Sequence, residues 1–277
     1  MDESWEAPHA IENSKRVYVR TGDAANPYDL ADVDLIIELV RRREEPLHLR
    51  ETLLARARRH ASILVPQATT YAEISISPIY PRRAFCSLDQ AWQFLYESRY
   101  RDGRFFPAET LRRILDGAGA IHNREYGEVS RYGLILGRQE MGTRRGQEAP
   151  DQGHYRILDF GDLFHLVLKM LVCAARFYSQ FGYRGNVLVG AAVHNAANQM
   201  MQFLPADDFV SQNCRCYDDV AQGQQIVEAE NLEERREEIL NEVLSQICWS
   251  FWQGHGLFPA DPLRNYVQRT LQNMGRL

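Results

Sequence analysis

Lysine is nearly missing from this chain: of its 32 basic residues only Lys15 and Lys169 are lysines, and all the others are arginines. The skew reads first as a GC-rich coding bias, although guanidinium forks also suit bidentate contacts to phosphate. Long apolar runs are lacking as well. The most apolar stretch, 163–175, is interrupted by His165 and Lys169 and falls short of the ~20 residues that a bilayer requires, so it is expected to be a core helix rather than a membrane span. Cysteine is sparse, and the five (Cys86, Cys173, Cys214, Cys216 and Cys248) are odd in number and scattered. With no signal-peptide pattern, that usage predicts free thiols in a reducing cytoplasm. Cys214-Arg215-Cys216 is a lone C-x-C with no histidine nearer than His194, too few ligands for a zinc site. There is no Walker loop, no G-x-G-x-x-G after a strand, no G-x-S-x-G and no internal repeat. A net charge of −5 argues against wholesale wrapping by nucleic acid, while leaving room for a local basic patch.

What is present is a chain long and apolar enough to bury a large core, or two small ones. Residues 16–20 alternate, with Val17 and Val19 set against Arg16, Tyr18 and Arg20, as in a strand with one buried face. Gly22 and Asp23 turn the chain, and Asp32 caps a helix through Leu35, Ile36, Leu39 and Val40. A second helix is expected from 47 to about 60, after Pro46, with Arg50, Arg56, Arg58 and Arg59 largely opposite its apolar face. Residues 71–78 read as a strand stopped by Pro78, residues 88–96 as an amphipathic helix capped by Ser87, and 107–115 as a short helix released by Gly117 and Gly119. From 125 to 140 the pattern is strand-turn-strand or one long strand, and 141–153 is a loop that offers a sub-boundary. The stretch 160–181 is a central helix apolar on most sides, ended by Gly182 and followed by a strand at 186–193. Further strands are expected at 214–217 and 224–227, then a long helix over 231–253 capped by Asn231. The order does not alternate strictly, so the expectation is an α+β fold: an antiparallel or mixed sheet covered by the helices at 160–181 and 231–253, with a helical amino-terminal part.

The segment RVYVRTGDAANPYDLADVDLIIELVRRR at 16–43 resembles the last strand and closing helix of the Schlafen AlbA-type domain, formerly called divergent AAA. That domain occurs in bacterial proteins described as ATP-binding proteins or transcriptional regulators. Arg20 and Gly22 match its Arg-x-Gly, and Arg41, Arg42 and Arg43 match the basic end of its helix. The stretches at 71–82 and 157–185 resemble the region that follows the domain in some members. The family's Glu-x-x-x-x-Glu-Phe-Lys helix is absent. Since residues 1–15 are polar and offer strand 16–20 no evident partner, the strand reads as an orphan. The resemblance then implies that residues 1–45 are the end of an AlbA-like domain and 46–277 a supporting α+β region, the tail of a longer protein. It also implies association with DNA or RNA and, through the family alone, with ATP.

Seven arginines against three acids at 41–59 make this the most cationic part of the chain, and Arg20, Arg41, Arg42, Arg43, Arg50, Arg56 and Arg59 are the candidate phosphate contacts. The same run also has the ordinary meaning of a solvated helix face. Asp162 and His165, three apart, can act as acid and base or as two metal ligands, against the plainer role of Asp162 as a helix cap. The loop Gly182-Tyr183-Arg184-Gly185 has the G-x-x-G form that clamps RNA backbone, or is a helix end and turn. His194, Asn195, Asn198 and Gln199 form a polar cluster able to line a pocket edge. The reading preferred is a non-catalytic nucleic-acid-associated regulatory module with no bound cofactor and no contact with membrane. The alternatives are a Schlafen-type nuclease or NTPase with Glu125, Glu128, Asp159 and Asp162 as metal ligands, and a scaffold that meets a second copy or another subunit through Trp249, Phe251 and Trp252.

Overall fold

The computed structural model describes residues 9–10, 16–21, 24–29, 33–64, 69–100, 103–145, 156–202, 215–252 and 260–274, with side chains mostly from Glu44 onward. Strands β1 (His9–Ala10), β2 (Arg16–Thr21) and β3 (Ala24–Asp29) form an antiparallel three-stranded sheet with β2 in the middle. Tyr18 lies opposite His9 on one side and Pro27 on the other. The strand expected at 16–20 is therefore not an orphan: its partners are local, one of them within the polar leader. The turn at Gly22 and Asp23 and the cap at Asp32 lie outside the described residues. The two helices expected on either side of Pro46 are one, α1 (Val33–Leu64), so a limit at 45/46 falls inside a helix. Proline removes a helical hydrogen bond at a cost on the order of 3 kcal/mol, which is why the sequence suggests a break. The segment beyond Pro46 is held by packing and ion pairs to the sheet, and the helix continues through it.

The chain then runs through β4 (Tyr71–Pro78), α2 (Leu88–Glu97), β5 (Arg99–Tyr100), β6 (Gly103–Arg104), β7 (Leu111–Ile114), β8 (Gly117–His122), β9 (Glu125–Ser130) and β10 (Ile135–Glu140). It continues with β11 (Thr143–Arg145), β12 (Arg156–Asp159), α3 (Phe160–Phe181), β13 (Asn186–His194), β14 (Met200–Gln202), β15 (Val220–Glu228), α4 (Arg236–Ser250) and α5 (Ala260–Met274). The fold is α+β. Its centre is a seven-stranded sheet in the order β15-β13-β4-β10-β9-β8-β7, antiparallel throughout. Five local expectations are corrected. Residues 107–115 make only a 3-10 turn at Ala108–Thr110 before entering β7. Gly117 and Gly119 belong to β8. Asn231 ends a 3-10 turn, its amide bonded to Glu228 at 2.7 Å, and α4 starts at Arg236. Arg215 makes an isolated bridge to Met200 in place of a strand, and Cys214 lies outside the described residues. The loop expected at 141–153 includes β11, which pairs antiparallel with β12.

Alternation assigns the two faces of the main sheet. Ala72, Ile74 and Ile76 of β4 and Val187, Val189, Ala191 and Val193 of β13 point into the large core, against α3 and α4. Fourteen residues of α3 are buried, because this helix is covered by the sheet on one side and by α4 on the other. Phe160 and Phe164 also meet the Tyr266 ring of α5 edge-on, a helix that the sequence reading did not include. Lys169 of α3 is used internally: it spans to Glu125 at 2.7 and 2.9 Å and lies 4.1 Å from the Phe106 ring. Cys173 is buried. The opposite sheet face carries a smaller core of Leu53, Ala57, Ala61, Tyr126, Leu134 and Leu136, where α1 packs on β9, β10 and β4.

Candidate functional site

Helix α1 meets this second face through small residues. At 100° per residue, Leu53, Ala57 and Ala61 point down at the sheet, Arg56 and His60 project along one flank, and Arg58 along the other. The alanines let the helix sit close. The flanking cations then reach acids of the sheet and of its β7–β8 turn: Arg56 pairs with Asp116 in the turn, Arg58 with Glu73 at 2.6 Å, and His60 with Glu128 at 3.1 Å. Arg58 and Arg56 therefore do not lie mainly away from the sheet, as the apolar periodicity suggested. Arg59 is exposed and Arg50 half-buried. The side chains of Arg20, Arg41, Arg42 and Arg43 lie outside the described residues.

On the Arg58 flank, the Glu73 carboxylate is 2% exposed and takes three hydrogen bonds, one from Arg58 and two from Arg138 at 3.1 and 2.5 Å. Burial alone would raise this carboxyl, but the charge of Arg58 and the bonds from Arg138 outweigh it and hold the group below its ordinary value. Arg138 lies 4.5 Å from the centre of the Tyr71 ring, and Tyr71 stacks on His194 with centroids 4.6 Å apart. The outcome is a closed stack of cation, phenol and imidazole. Burial lowers His194 and so favours its neutral form, against the pull of the Glu73 charge. Arg138 Nη1 and His194 Nε2 are buried without a hydrogen-bond partner among the described residues. The polar edge anticipated at His194 and Asn195 is thus mostly structural: Asn195 donates to the Thr69 carbonyl at 2.9 Å and its own carbonyl accepts from Thr70.

On the other flank, the Tyr126 hydroxyl donates to Glu128 Oε2 at 2.6 Å, and His60 Nδ1 lies 3.1 Å from the same oxygen. Here burial wins: Glu128 is raised, only partly offset by the bonds from Tyr126 and His60, and Tyr126 is raised as well, mainly by burial. Gly119 makes room for this arrangement, since a β-carbon there would press on the Tyr126 hydroxyl. Unlike the Glu73 cluster, this network opens to the surface. A cleft of about 180 Å³ lies between the end of α1 and the β7–β8 hairpin, lined by His60, Ile63, Arg112, Ile114, Gly119, Ala120, Ile121 and Tyr126. The surface it presents is almost wholly apolar.

The candidates named from sequence do not converge on that cleft. Asp159 caps α3, accepting from the Gly161 N–H at 2.8 Å, and Asp162 accepts from the Gly142 N–H at 2.7 Å. The capping role weighed for Asp162 therefore falls to Asp159. His165 is exposed on the following turn. Glu125 is paired with Lys169, and Glu128 with Tyr126 and His60. Among the described residues no three His, Cys, Asp or Glu side chains gather as metal ligands would. Gly182, at φ 69°, is the left-handed cap of α3, and the Tyr183 hydroxyl closes the turn onto the Asn186 carbonyl at 3.0 Å. Of the aromatic trio, Trp249 is 54% exposed while Phe251 is buried at 1%. Cys216 is buried, with its thiol on the Asp218 carbonyl. Among the described residues no helix is long and apolar enough to cross a membrane. Sequence reasoning missed Glu73, Arg138, His60 and Arg112. A single charged residue inside an otherwise β-forming segment, as at Glu73 between Ala72 and Ile74, was the available signal. Searches for similarity among protein-family models, curated proteins and solved structures returned no match.

Proposed function

We propose that this chain is a Schlafen AlbA-like, nucleic-acid-associated regulatory protein, acting as a binding and coupling module and not as a catalyst. The observation that carries the reading is α1. It follows the three-stranded sheet that bears Arg20, runs unbroken from Val33 to Leu64, and is fastened on both flanks by Arg56–Asp116, Arg58–Glu73 and His60–Glu128. A rigid helix fixed in this way ties the position of the amino-terminal strands to the state of the main sheet. Phosphate contact falls to the arginines that docking leaves over, the exposed Arg59 and half-buried Arg50, together with 41–43. Support for a non-catalytic role comes from the acids: Glu125, Glu128, Asp159 and Asp162 are each committed to a separate structural bond.

The test is fluorescence anisotropy of labelled duplex DNA and single-stranded RNA titrated with the full chain across a salt series. Binding that weakens steeply with salt is expected, with Arg50→Glu plus Arg59→Glu weakening it about tenfold or more. Arg56 is left intact, because reversing its charge would also break its pair with Asp116. Absence of binding at low salt, or binding indifferent to salt, would remove the reading.

A further inference from the structure

We infer that the open half of the main sheet beside α1, the strip over β13 and β15, holds a single strand of nucleic acid. The inference rests on the association with nucleic acid proposed above and names its form and path. Helix α1 covers β9, β10 and β4, while α3 and α4 lie on the other side of the sheet, so β13 and β15 show the α1 side of the sheet to solvent. Register fixes what they show. Gly190 stands between Ser75 and Gln224, and Ala192 between Glu73 and Gln222. Both glutamines are exposed, and Ile226 at the margin is 59% exposed. Within 4 Å, a β-carbon on Gly190 would meet the Ser75 hydroxyl alone, at 3.7 Å. The middle of the strip is therefore open.

Dimensions select the occupant. Strand spacings and rises make the strip about 10 Å wide and about 30 Å long, narrower than a duplex. Its area of about 300 Å² is well short of the ~800 Å² per partner that a stable protein interface buries, and its centre is amide, hydroxyl and glycine where such an interface is apolar. One extended strand fits. Charge then sets the polarity of the occupant. Arg50, Leu54 and Arg58, four apart, form the wall that α1 raises along β4. Arg58 gives its Nε to Glu73 and is 48% exposed, and its two terminal nitrogens bond no described residue. The one acid within the strip, Glu73, is buried and neutralised by Arg58 and Arg138. The acids at its margins are Glu51 on the solvent side of α1, Glu228 at one end and Asp219 near His194 at the other. Phosphates that follow the arginine wall leave bases over Gln222 and Gln224, whose amides offer base edges both a donor and an acceptor.

The experiment follows the anisotropy of a labelled oligothymidylate of about 12 nucleotides, beside a duplex of equal length, titrated with the full chain at low salt. Gly190→Glu and Gly190→Lys place long side chains of opposite charge at the same open point. Gly190→Glu is expected to weaken the oligothymidylate about tenfold or more, and Gly190→Lys to bind it at least as tightly as wild type. Should either fail to fold, the same two replacements at the exposed Gln224 decide. Equal changes in the Glu and Lys variants, or no change in either, would overturn the assignment. Polyglutamate competing as well as unlabelled oligothymidylate would also overturn it, and give the strip to an acidic peptide. Duplex binding without single-strand binding removes this inference and spares the broader reading, whereas absence of both removes the two together.

Discussion

Replacing Glu73 by glutamine tests the reading of the sheet beneath α1 most sharply. The change keeps shape and removes charge, leaving the Arg138 guanidinium, 3% exposed, buried without its counter-ion. Arg58 is 48% exposed and can turn to water, so its lost partner costs little. The loss is therefore set by Arg138. Breaking one side of a buried pair costs about 3–5 kcal/mol, and replacing both sides by neutral groups recovers much of it. The lower end is expected here, because the Tyr71 face still stabilises the cation. Urea denaturation at pH 7 should show Glu73→Gln less stable by about 3 kcal/mol, and Glu73→Gln with Arg138→Met should regain at least about half of that. The sign of the pH dependence follows from the depressed Glu73 carboxyl. Its stabilisation is fully present above the unfolded-state carboxyl value of about 4.3 and is lost as pH falls through the lower folded value, so wild type and variant should converge on acidification. A loss below about 1 kcal/mol, or strict additivity in the double variant, would refute the claim that Arg138 depends on Glu73.

Glu128 predicts the opposite slope. Its carboxyl is raised, so the folded state pays increasingly as pH climbs past about 4.3, and Glu128→Gln should gain on wild type between acid and neutral pH; a difference flat in pH argues against a raised carboxyl. Gly223→Ala forces a β-carbon into the Val243 carbonyl of α4, where backbone cannot yield. Denaturant melts should show a loss of about 1–3 kcal/mol, with hydrogen exchange rising at Gln224, whose N–H and carbonyl are bonded by Gln246 at 3.0 and 3.2 Å. Asp159→Ala should cost about 1 kcal/mol as a lost cap, and a thermal melt unchanged by the substitution would place the start of α3 under other control.

Much of the fold was written locally. Strand 71–78, the Ser87-capped helix and the helix at 160–181 ending at Gly182 follow from alternation, capping oxygens and a left-handed glycine, all signals carried within a few residues. Where local signals conflicted with packing, packing won. Pro46 sits inside α1, and residues 111–122 form a hairpin despite two glycines, because the adjoining sheet and helix supply contacts that no window of sequence contains. The same holds for chemistry. Arg56 and Arg58 look like part of one cationic run, and His60 like its neighbour, until the fold sets Asp116, Glu73 and Glu128 beside them from 60, 15 and 68 residues away. By itself the sequence determined which segments could be strands or helices and which faces were apolar, since those depend on periodicity. The tertiary structure alone decided which charges were cancelled and which, like Arg50, were left with donors to offer, because pairing across strands is a matter of distance in space.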